Sequence, residues 1–216
     1  MASFREQSPT ILTVPGLGGS GPTHWQSLWE AQRDDTVRAD LGLWDKPHRN
    51  SWVTKLDQAI RTAQAPVVLV GHSLGCLAIA WWAHLSPQPY GWPVAGALLV
   101  APADVDRRDG PPELAGFAPA PMTPLPFPSI VVASRDDPWI RYDRAQALAS
   151  GWGSHLVDAG SAGHVNAASG IGDWAEGQAL LAELIDDIGL AHSPSEGRAL
   201  LARRLTGSAV QARASV

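Results

Sequence analysis

The sequence has little of several features that define other classes of protein. Its single cysteine, Cys76, excludes an intramolecular disulfide and a metal site built from several thiolates. Only two of its 16 basic residues are lysines and the formal net charge is −5, so the composition gives no basic surface for nucleic acid or an anionic membrane. The longest apolar runs, Leu74–Ala83 and Val94–Ala103, are about half the length of a membrane-spanning helix.

The first nine residues are polar and lack the apolar core of a signal peptide. From this segment and the composition we expect a soluble, cytoplasmic protein without nucleic-acid or membrane partners. Hydrophobic residues make up 45% of the 216 residues, which is typical of a globular domain with a substantial core. Ten tryptophans stand against three phenylalanines and two tyrosines, which is an unusual balance.

Short apolar runs alternate with helix-length amphipathic segments along most of the chain. This alternation predicts an open parallel sheet covered by helices on both faces. The predicted strands are Thr10–Val14, Val37–Leu41, Val67–Val70, Val94–Val100, Ile130–Ala133 and His155–Val157. The predicted helices are Ser51–Ala63, Leu74–Leu85, Tyr142–Ser150 and Trp174–Ile188.

Two segments interrupt the alternation. Ala101–Pro128 holds eight of the eighteen prolines, which excludes a long helix and predicts a site-lining loop or a small lid. Residues 191–216 carry four arginines and one glutamate and are rich in small residues. We therefore predict one domain over residues 1–190 and a partly helical extension over residues 191–216.

The clearest motif is Gly71-His72-Ser73-Leu74-Gly75, which has the pattern Gly-x-Ser-x-Gly. It follows the predicted strand Val67–Val70 and opens the predicted helix Leu74–Leu85, and a nucleophile elbow requires this strand–turn–helix setting. The turn is tight enough to need glycine two residues before and two after the serine. The helix N-terminus also favours negative charge beside the hydroxyl. We predict that Ser73 is a nucleophile.

A serine hydroxyl needs a base to take its proton, and in this arrangement an acid and then a histidine follow the serine along the chain. The histidines after Ser73 are His84, His155, His164 and His192. His84 falls in the helix after the elbow, His155 opens a strand, and His192 falls in the extension. His164 follows the last predicted strand in a glycine-containing turn, where a mobile base is expected, so we predict His164 as the base.

The acid is expected where the preceding strand ends, in Ser134-Arg135-Asp136-Asp137-Pro138. Pro138 disfavours helical geometry at the residue before it, which suits a loop carboxylate directed at an imidazole. This favours Asp137. Asp136 remains an alternative, as does Asp104 after the strand before.

An oxyanion hole needs two backbone N–H donors, which we predict at Leu74 and at Leu17 in the loop after the first strand. The glycines of that loop, residues 15–21, match neither a dinucleotide-binding fingerprint nor a P-loop. His24 and Trp25 follow the loop, where they either line the acyl pocket or hold the loop in place. Trp139, after the acid, is a candidate wall of the pocket.

These segments together resemble the α/β-hydrolase superfamily and, more narrowly, the small serine hydrolases of the RBBP9/YdeN type, over roughly residues 10–190. The resemblance implies a three-layer α/β-hydrolase sandwich with a mostly parallel central sheet and a minimal lid. It places Ser73, Asp137 and His164 on the family's triad and implies hydrolysis of small esters. The mammalian member is associated with the retinoblastoma protein through Leu-x-Cys-x-Glu. Around Cys76 the glutamate is missing, so we expect no such partner.

The sequence thus predicts a serine hydrolase, specifically a carboxylesterase acting on small short-acyl esters through an acyl-enzyme. We expect no cofactor, and no metal either, because no set of His, Asp and Glu has metal-ligand spacing. An acyltransferase or thioesterase using the same triad is one alternative. The other is a binding module that kept the fold and lost its chemistry.

Overall fold

Six short runs of mostly aliphatic residues form the strands of one parallel sheet in the computed structural model, which describes residues 8–63 and 66–188. The strands are β1 (Thr10–Val14), β2 (Thr36–Arg38), β3 (Val67–His72), β4 (Val94–Val100), β5 (Ser129–Ala133) and β6 (His155–Asp158). They lie in the order β2-β1-β3-β4-β5-β6, and each neighbouring pair is parallel. The predicted parallel sheet is confirmed.

Five α-helices cover the sheet: α1 (Trp25–Gln32), α2 (Arg49–Thr62), α3 (Leu74–Leu85), α4 (Tyr142–Trp152) and α5 (Ala175–Asp187). Short 3-10 helices occupy Pro112–Phe117 and Ala167–Ser169. Among the described residues, no helix is long and apolar enough to span a membrane.

The central strands are buried on both faces, and every residue of β3 and β4 is buried. Because successive side chains of a strand point to opposite faces, Val67 and Leu69 join one hydrophobic cluster while Val68 and Val70 join another. The first cluster includes buried residues of α2, α3 and α4, and the second includes those of α1 and α5. The molecule therefore has three layers, with the sheet in the middle.

Several tryptophans donate a hydrogen bond from the indole N–H to a backbone carbonyl. Five buried or half-buried indoles donate to backbone carbonyls at 2.7–3.0 Å, most of them carbonyls of connecting segments. The pairs are Trp25 with Val165, Trp29 with Asp173, Trp52 with Gly42, Trp81 with Phe117, and Trp152 with Pro121. Each ring thus fills the core while its polar edge satisfies a carbonyl and fixes the segment that carries it.

The structure differs from the sequence prediction in the first half of the chain. The strand predicted at Val37–Leu41 lies at Thr36–Arg38 instead. Helix α1 was not predicted, because it has only eight residues and begins after His24, which is not one of the common N-cap residues. The predicted domain boundary after residue 190 and the extension 191–216 lie outside the described residues.

All strands run in the same direction, so the segments that follow β1, β3, β4, β5 and β6 meet at the carboxyl edge of the sheet. This edge is where open parallel sheets bind their ligands. The proline-rich connector after β4 crosses the same edge and contains only one short 3-10 helix, Pro112–Phe117, in agreement with the prediction that it holds no long helix.

Candidate active site

Ser73 lies in the sharp turn between β3 and α3. Its φ of +53° and ψ of −121° are unusual for a residue with a side chain, and its N–H donates to the carbonyl of Val100 at 3.0 Å. A Cβ at Gly75 would lie 2.0 Å from the carbonyl oxygen of Val14, and one at Gly71 would lie 2.8 Å from the Ile79 side chain. Gly75 is therefore required by the close approach of strand and helix, whereas a Cβ at Gly71 would meet the movable end of the Ile79 side chain and, at 3.2 Å, the backbone nitrogen of Cys76.

The glycine-containing loop after β1 packs directly against this turn. A Cβ at Gly16 would lie 2.8 Å from the Cβ of Ser73, so glycine lets the loop backbone reach the serine. The N–H groups of Leu17 and Leu74 make no hydrogen bond within the described residues. For Leu74 this follows from its place as the first residue of α3. The two predicted oxyanion donors are therefore available.

Gln26, which sequence reasoning missed, joins the loop to the sheet. Its side chain is inaccessible to solvent, donates from Nε2 to the carbonyl of Val70 at 2.9 Å, and accepts from Ser20 Oγ at 2.6 Å. A buried glutamine is uncommon, but nothing in the sequence indicates that this one is buried. Its hydrogen bonds fix the far end of the loop relative to β3.

His164 and Asp137 form a buried pair. His164 Nδ1 lies 2.9 Å from each carboxylate oxygen of Asp137, and Asp137 Oδ1 also accepts the N–H of Trp139 at 2.8 Å. A carboxylate at Nδ1 holds the ring proton there and leaves the Nε2 lone pair free.

The other candidate acids have different contacts. Asp136 accepts hydrogen bonds from Ser134 Oγ at 2.7 Å and from the N–H of Gly163 at 2.8 Å, which lower the pKa of its carboxyl group. It therefore supports the loop that carries His164 without touching the ring. Asp104 faces the guanidinium of Arg144 at 3.5 Å.

The other histidines after the elbow do not join this pair. His84 is exposed on α3, and His155 is the first residue of β6. His192 lies outside the described residues.

Contacts from distant parts of the chain hold the His164 loop, residues 159–166. His72 Nε2 lies 2.9 Å from the carbonyl oxygen of His164, and Trp25 Nε1–H donates to the carbonyl of Val165 at 2.8 Å. Asn166 caps the following 3-10 helix through its side-chain oxygen, which accepts from the N–H of Ser169 at 3.0 Å. Trp25 is 1% exposed; its indole N–H contacts this loop, and its ring packs against those of Trp29 and Trp174.

A cavity of about 160 Å³ lies over these residues. Its lining includes Leu17, His24, Ser73, Trp139, His164 and Asn166. Trp25 is not among its lining residues. The connector after β4 contributes Ala103 and Leu114, as its predicted role in lining the site requires.

Ser73 and His164 face this common cavity, and no hydrogen bond joins Ser73 Oγ to the ring in the described part of the chain. Hydrogen bonds of this kind are often long without substrate and shorten when substrate binds.

Burial shifts the pKa values of three groups near Ser73. It lowers the pKa of His24 to about 4, with smaller contributions from Arg38 and His164, and it lowers the pKa of His72 well below its usual value. The centre of the His72 ring lies 4.7 Å from that of His24 and 4.8 Å from that of His164. Burial also raises the pKa of Cys76, one turn into α3, which keeps this thiol protonated.

Across residues 8–63 and 66–188, no group of three or more His, Cys, Asp and Glu side chains is arranged to hold a metal ion.

The fold and the arrangement at its carboxyl edge define an α/β-hydrolase. A family model described as serine hydrolase matches residues 11–183, and the chain belongs to that family. It is therefore an enzyme of the serine hydrolase type. No curated protein matches the chain.

Solved structures narrow the family to the YdeN type. A protein from Pectobacterium atrosepticum described as a YdeN-like hydrolase is 34% identical, covers 86% of this chain and 94% of its own, and superposes with a TM-score of 0.75. The ydeN gene product of B. subtilis is 19% identical over 83% of this chain and 100% of its own, with a TM-score of 0.67. Esterase 2 of Thermogutta terrifontis, at 16% identity, covers 87% of this chain and 86% of its own with a TM-score of 0.62 and shares the fold.

Proposed function

We propose that the protein is a carboxylesterase for small short-acyl esters, with Ser73 as nucleophile, His164 as general base and Asp137 as the orienting acid. The observation that carries the proposal is the His164–Asp137 pair, in which both carboxylate oxygens lie 2.9 Å from Nδ1 beside a cavity that Ser73 also lines. This is the order nucleophile, base and orienting group that activated serines use.

In the first half of the reaction, Ser73 Oγ attacks the ester carbonyl while His164 Nε2 takes the hydroxyl proton. The carbonyl oxygen becomes an oxyanion, which the N–H groups of Leu17 and Leu74 stabilise. When the tetrahedral intermediate collapses, the bond to the alkoxide breaks and His164 returns the proton to the leaving alcohol. Asp137 stays ionised and stabilises the imidazolium in between.

The second half repeats these steps with water. His164 takes a proton from water, the resulting hydroxide attacks the acyl-enzyme carbonyl, and the same two amides hold the oxyanion. Collapse breaks the bond to Ser73 Oγ, which regains its proton from His164, and the free acid leaves. No redox partner or metal is needed at any step.

Size supports a small acyl group. The cavity of about 160 Å³ is smaller than the pockets that hold drug-sized ligands. We expect acetate to butyrate esters to be better substrates than octanoate esters. We also propose a cytoplasmic location, which the single, buried Cys76 supports because such a chain needs no oxidising compartment.

The test combines a fluorophosphonate probe with the 4-nitrophenyl esters of acetate, butyrate and octanoate. The wild type should be labelled once and release nitrophenol, and Ser73→Ala should lose labelling and about a million-fold in rate. Ser150→Ala, which removes an exposed hydroxyl on α4, is the matched control and should behave as wild type.

The alternatives are separate outcomes of that experiment. Adding alcohols, amines or thioesters distinguishes an acyltransferase, which would form more transfer product than acid, from a thioesterase, which would prefer the thioester. A wild type that takes up no probe and cleaves no ester would favour a binding module and overturn the proposal.

A further inference from the structure

His24 is a buried residue in the cavity wall that the proposed reaction does not use. It is 5% exposed, lines the cavity, and precedes α1 as its N-cap. The backbone N–H of Gln26 donates to its Nδ1 at 3.2 Å. This contact fixes the orientation of the ring and requires a lone pair on Nδ1.

The proton of the neutral ring must therefore be on Nε2. Burial lowers the pKa of His24 to about 4, so the ring is neutral at physiological pH. Its Nε2 is buried and has no hydrogen-bond partner within the described residues. A buried donor without a partner is costly, and a ligand acceptor that reaches it removes the cost.

A second donor lies on the same cavity. The Asn166 side-chain oxygen is occupied by Ser169, to which it is bound at 3.0 Å and 3.1 Å. Its amide nitrogen makes no hydrogen bond within the described part of the chain, and Asn166 lines the cavity. His24 and Asn166 therefore place two donor groups in the cavity wall beyond the two backbone N–H groups proposed for the oxyanion. The surface of His24 Nε2 is covered in this structure, so a substrate has to displace the covering atoms to reach it.

We propose that His24 binds substrate by donating its Nε2–H to a second oxygen acceptor in the acyl chain of the ester. The substrate class is then short acyl esters with an ether, keto or hydroxyl oxygen near the reacting carbonyl, rather than simple alkanoates. The inference rests on the proposed esterase function and refines its substrate. A site with a buried donor discriminates against the analogue that lacks the acceptor, because the donor is then left unpaired.

Pairs of esters that differ only by an oxygen in place of a methylene test this directly. One pair is 4-nitrophenyl methoxyacetate and butyrate; the other is 4-nitrophenyl 3-methoxypropionate and pentanoate. The measured quantity is the ratio of kcat/KM values within each pair, compared between wild type and variants. Differences in intrinsic reactivity cancel in that comparison, as does any difference in the fraction of folded enzyme.

His24→Asn keeps an oxygen that can accept the Gln26 N–H but lacks a donor at the position of Nε2. We expect it to lower the oxygen-to-methylene ratio about tenfold in at least one pair, the worth of one hydrogen bond to a neutral acceptor. His24→Gln loses the cap but can place a donor near Nε2, so it should keep more of the ratio than His24→Asn. His84→Asn is the matched control on an exposed histidine and should leave both ratios unchanged.

The outcomes separate the two proposals. If wild type cleaves none of the four esters, the esterase proposal fails. If it cleaves them and His24→Asn leaves both ratios within twofold of wild type, the esterase proposal stands and the role of His24 is overturned. That second result would also be expected if a permanently bound water were the partner of Nε2.

Discussion

The elbow that carries Ser73 and the loop that carries His164 differ in how far their sequence signal is local. The elbow has its signal in its immediate neighbours, glycines two residues away on either side and the start of α3, although Val14, Gly16 and Val100 pack against it. The His164 loop depends on residues far along the chain, since Trp25 lies 140 residues from the Val165 carbonyl it binds and His72 lies 92 residues from His164. The turn that carries the proposed nucleophile thus has a local sequence pattern, whereas the loop that carries the proposed base is held by residues far along the chain.

This contrast determines how each region should fail. A change in the elbow should disturb the packing of β1 against α3, because a side chain there overlaps backbone atoms. A change in the loop contacts should leave the fold intact and alter the rate, because hydrogen bonds that position the ring are lost without steric overlap.

Within the base region, the largest effect should come from Asp137→Asn. The amide cannot hold the His164 proton on Nδ1 as the carboxylate does, so kcat should fall by about ten-thousand-fold. Steady-state kinetics on 4-nitrophenyl butyrate measure this, with circular dichroism to establish that the variant is folded.

Asp136→Asn is the paired change. Asp136 touches the loop through the Gly163 N–H and not the ring, so we expect a loss of about tenfold. If Asp136→Asn were the more severe change, the assignment of the acid to Asp137 would have to be abandoned.

Gly75→Ala should break the elbow. Its Cβ would lie 2.0 Å from the Val14 carbonyl oxygen, which strand and helix can relieve only by moving apart. We expect the free energy of unfolding to fall by more than about 4 kcal/mol, measured by urea denaturation. Gly21→Ala, in open space in the adjacent loop, is the control and should cost little. Equal effects of the two substitutions would contradict the local account of the elbow.

The same difference between the elbow and the His164 loop decides which features can be predicted from the sequence. The central strands and α3 are long apolar runs, and the elbow is a five-residue pattern. Each can therefore be predicted from a short stretch of sequence. The choice of Asp137 over Asp136 is also local, because it rests on Pro138.

The residues that hold the loops in place could not be predicted from the sequence. Gln26 and the indole N–H of Trp25 act on residues distant in sequence, and their types alone do not reveal a buried partner. For His24 and Trp25 the sequence left open whether they line the pocket or hold a loop. The structure separates them, with His24 on the cavity and Trp25 on the His164 loop.

The rings of His24, His72 and His164 lie next to one another, and the burial of His24 and His72 should make stability depend on pH. Burial lowers the pKa of His24 from 6.5 to about 4, so between those values the unfolded chain binds a proton that the folded chain does not. The contribution of His24 to the free energy of unfolding is therefore fully present above about pH 6.5 and is lost as the pH falls toward 4. From pH 7.5 to 5, His24 alone should contribute a loss of about 2 kcal/mol, to which His72 adds in the same direction.

Urea denaturation of wild type and His24→Asn at both pH values isolates this contribution. The variant should lose about 2 kcal/mol less than wild type on acidification, because it lacks the group that protonates. Equal losses in the two proteins would show that His24 is protonated as readily in the folded state as in the unfolded chain.

The sharpest test of the contrast is Trp25→Phe. The substitution keeps an aromatic ring in the core but removes the indole N–H, leaving the Val165 carbonyl without this donor and loosening the loop beside His164. We expect kcat/KM to fall about tenfold, with a stability loss of about 1–3 kcal/mol.

Trp152→Phe is the control. The Trp152 ring is also 1% exposed, and its indole N–H donates the same kind of bond to the carbonyl of Pro121, away from the cavity. The variant should lose similar stability and keep its activity, since Trp152 packs in the hydrophobic cluster on the opposite face of the sheet from Val165. Kinetics on 4-nitrophenyl butyrate and thermal melts of both variants separate rate from stability. If the two variants lost activity in proportion to stability alone, the indole of Trp25 would be a core contact like any other, and the base would be positioned without it.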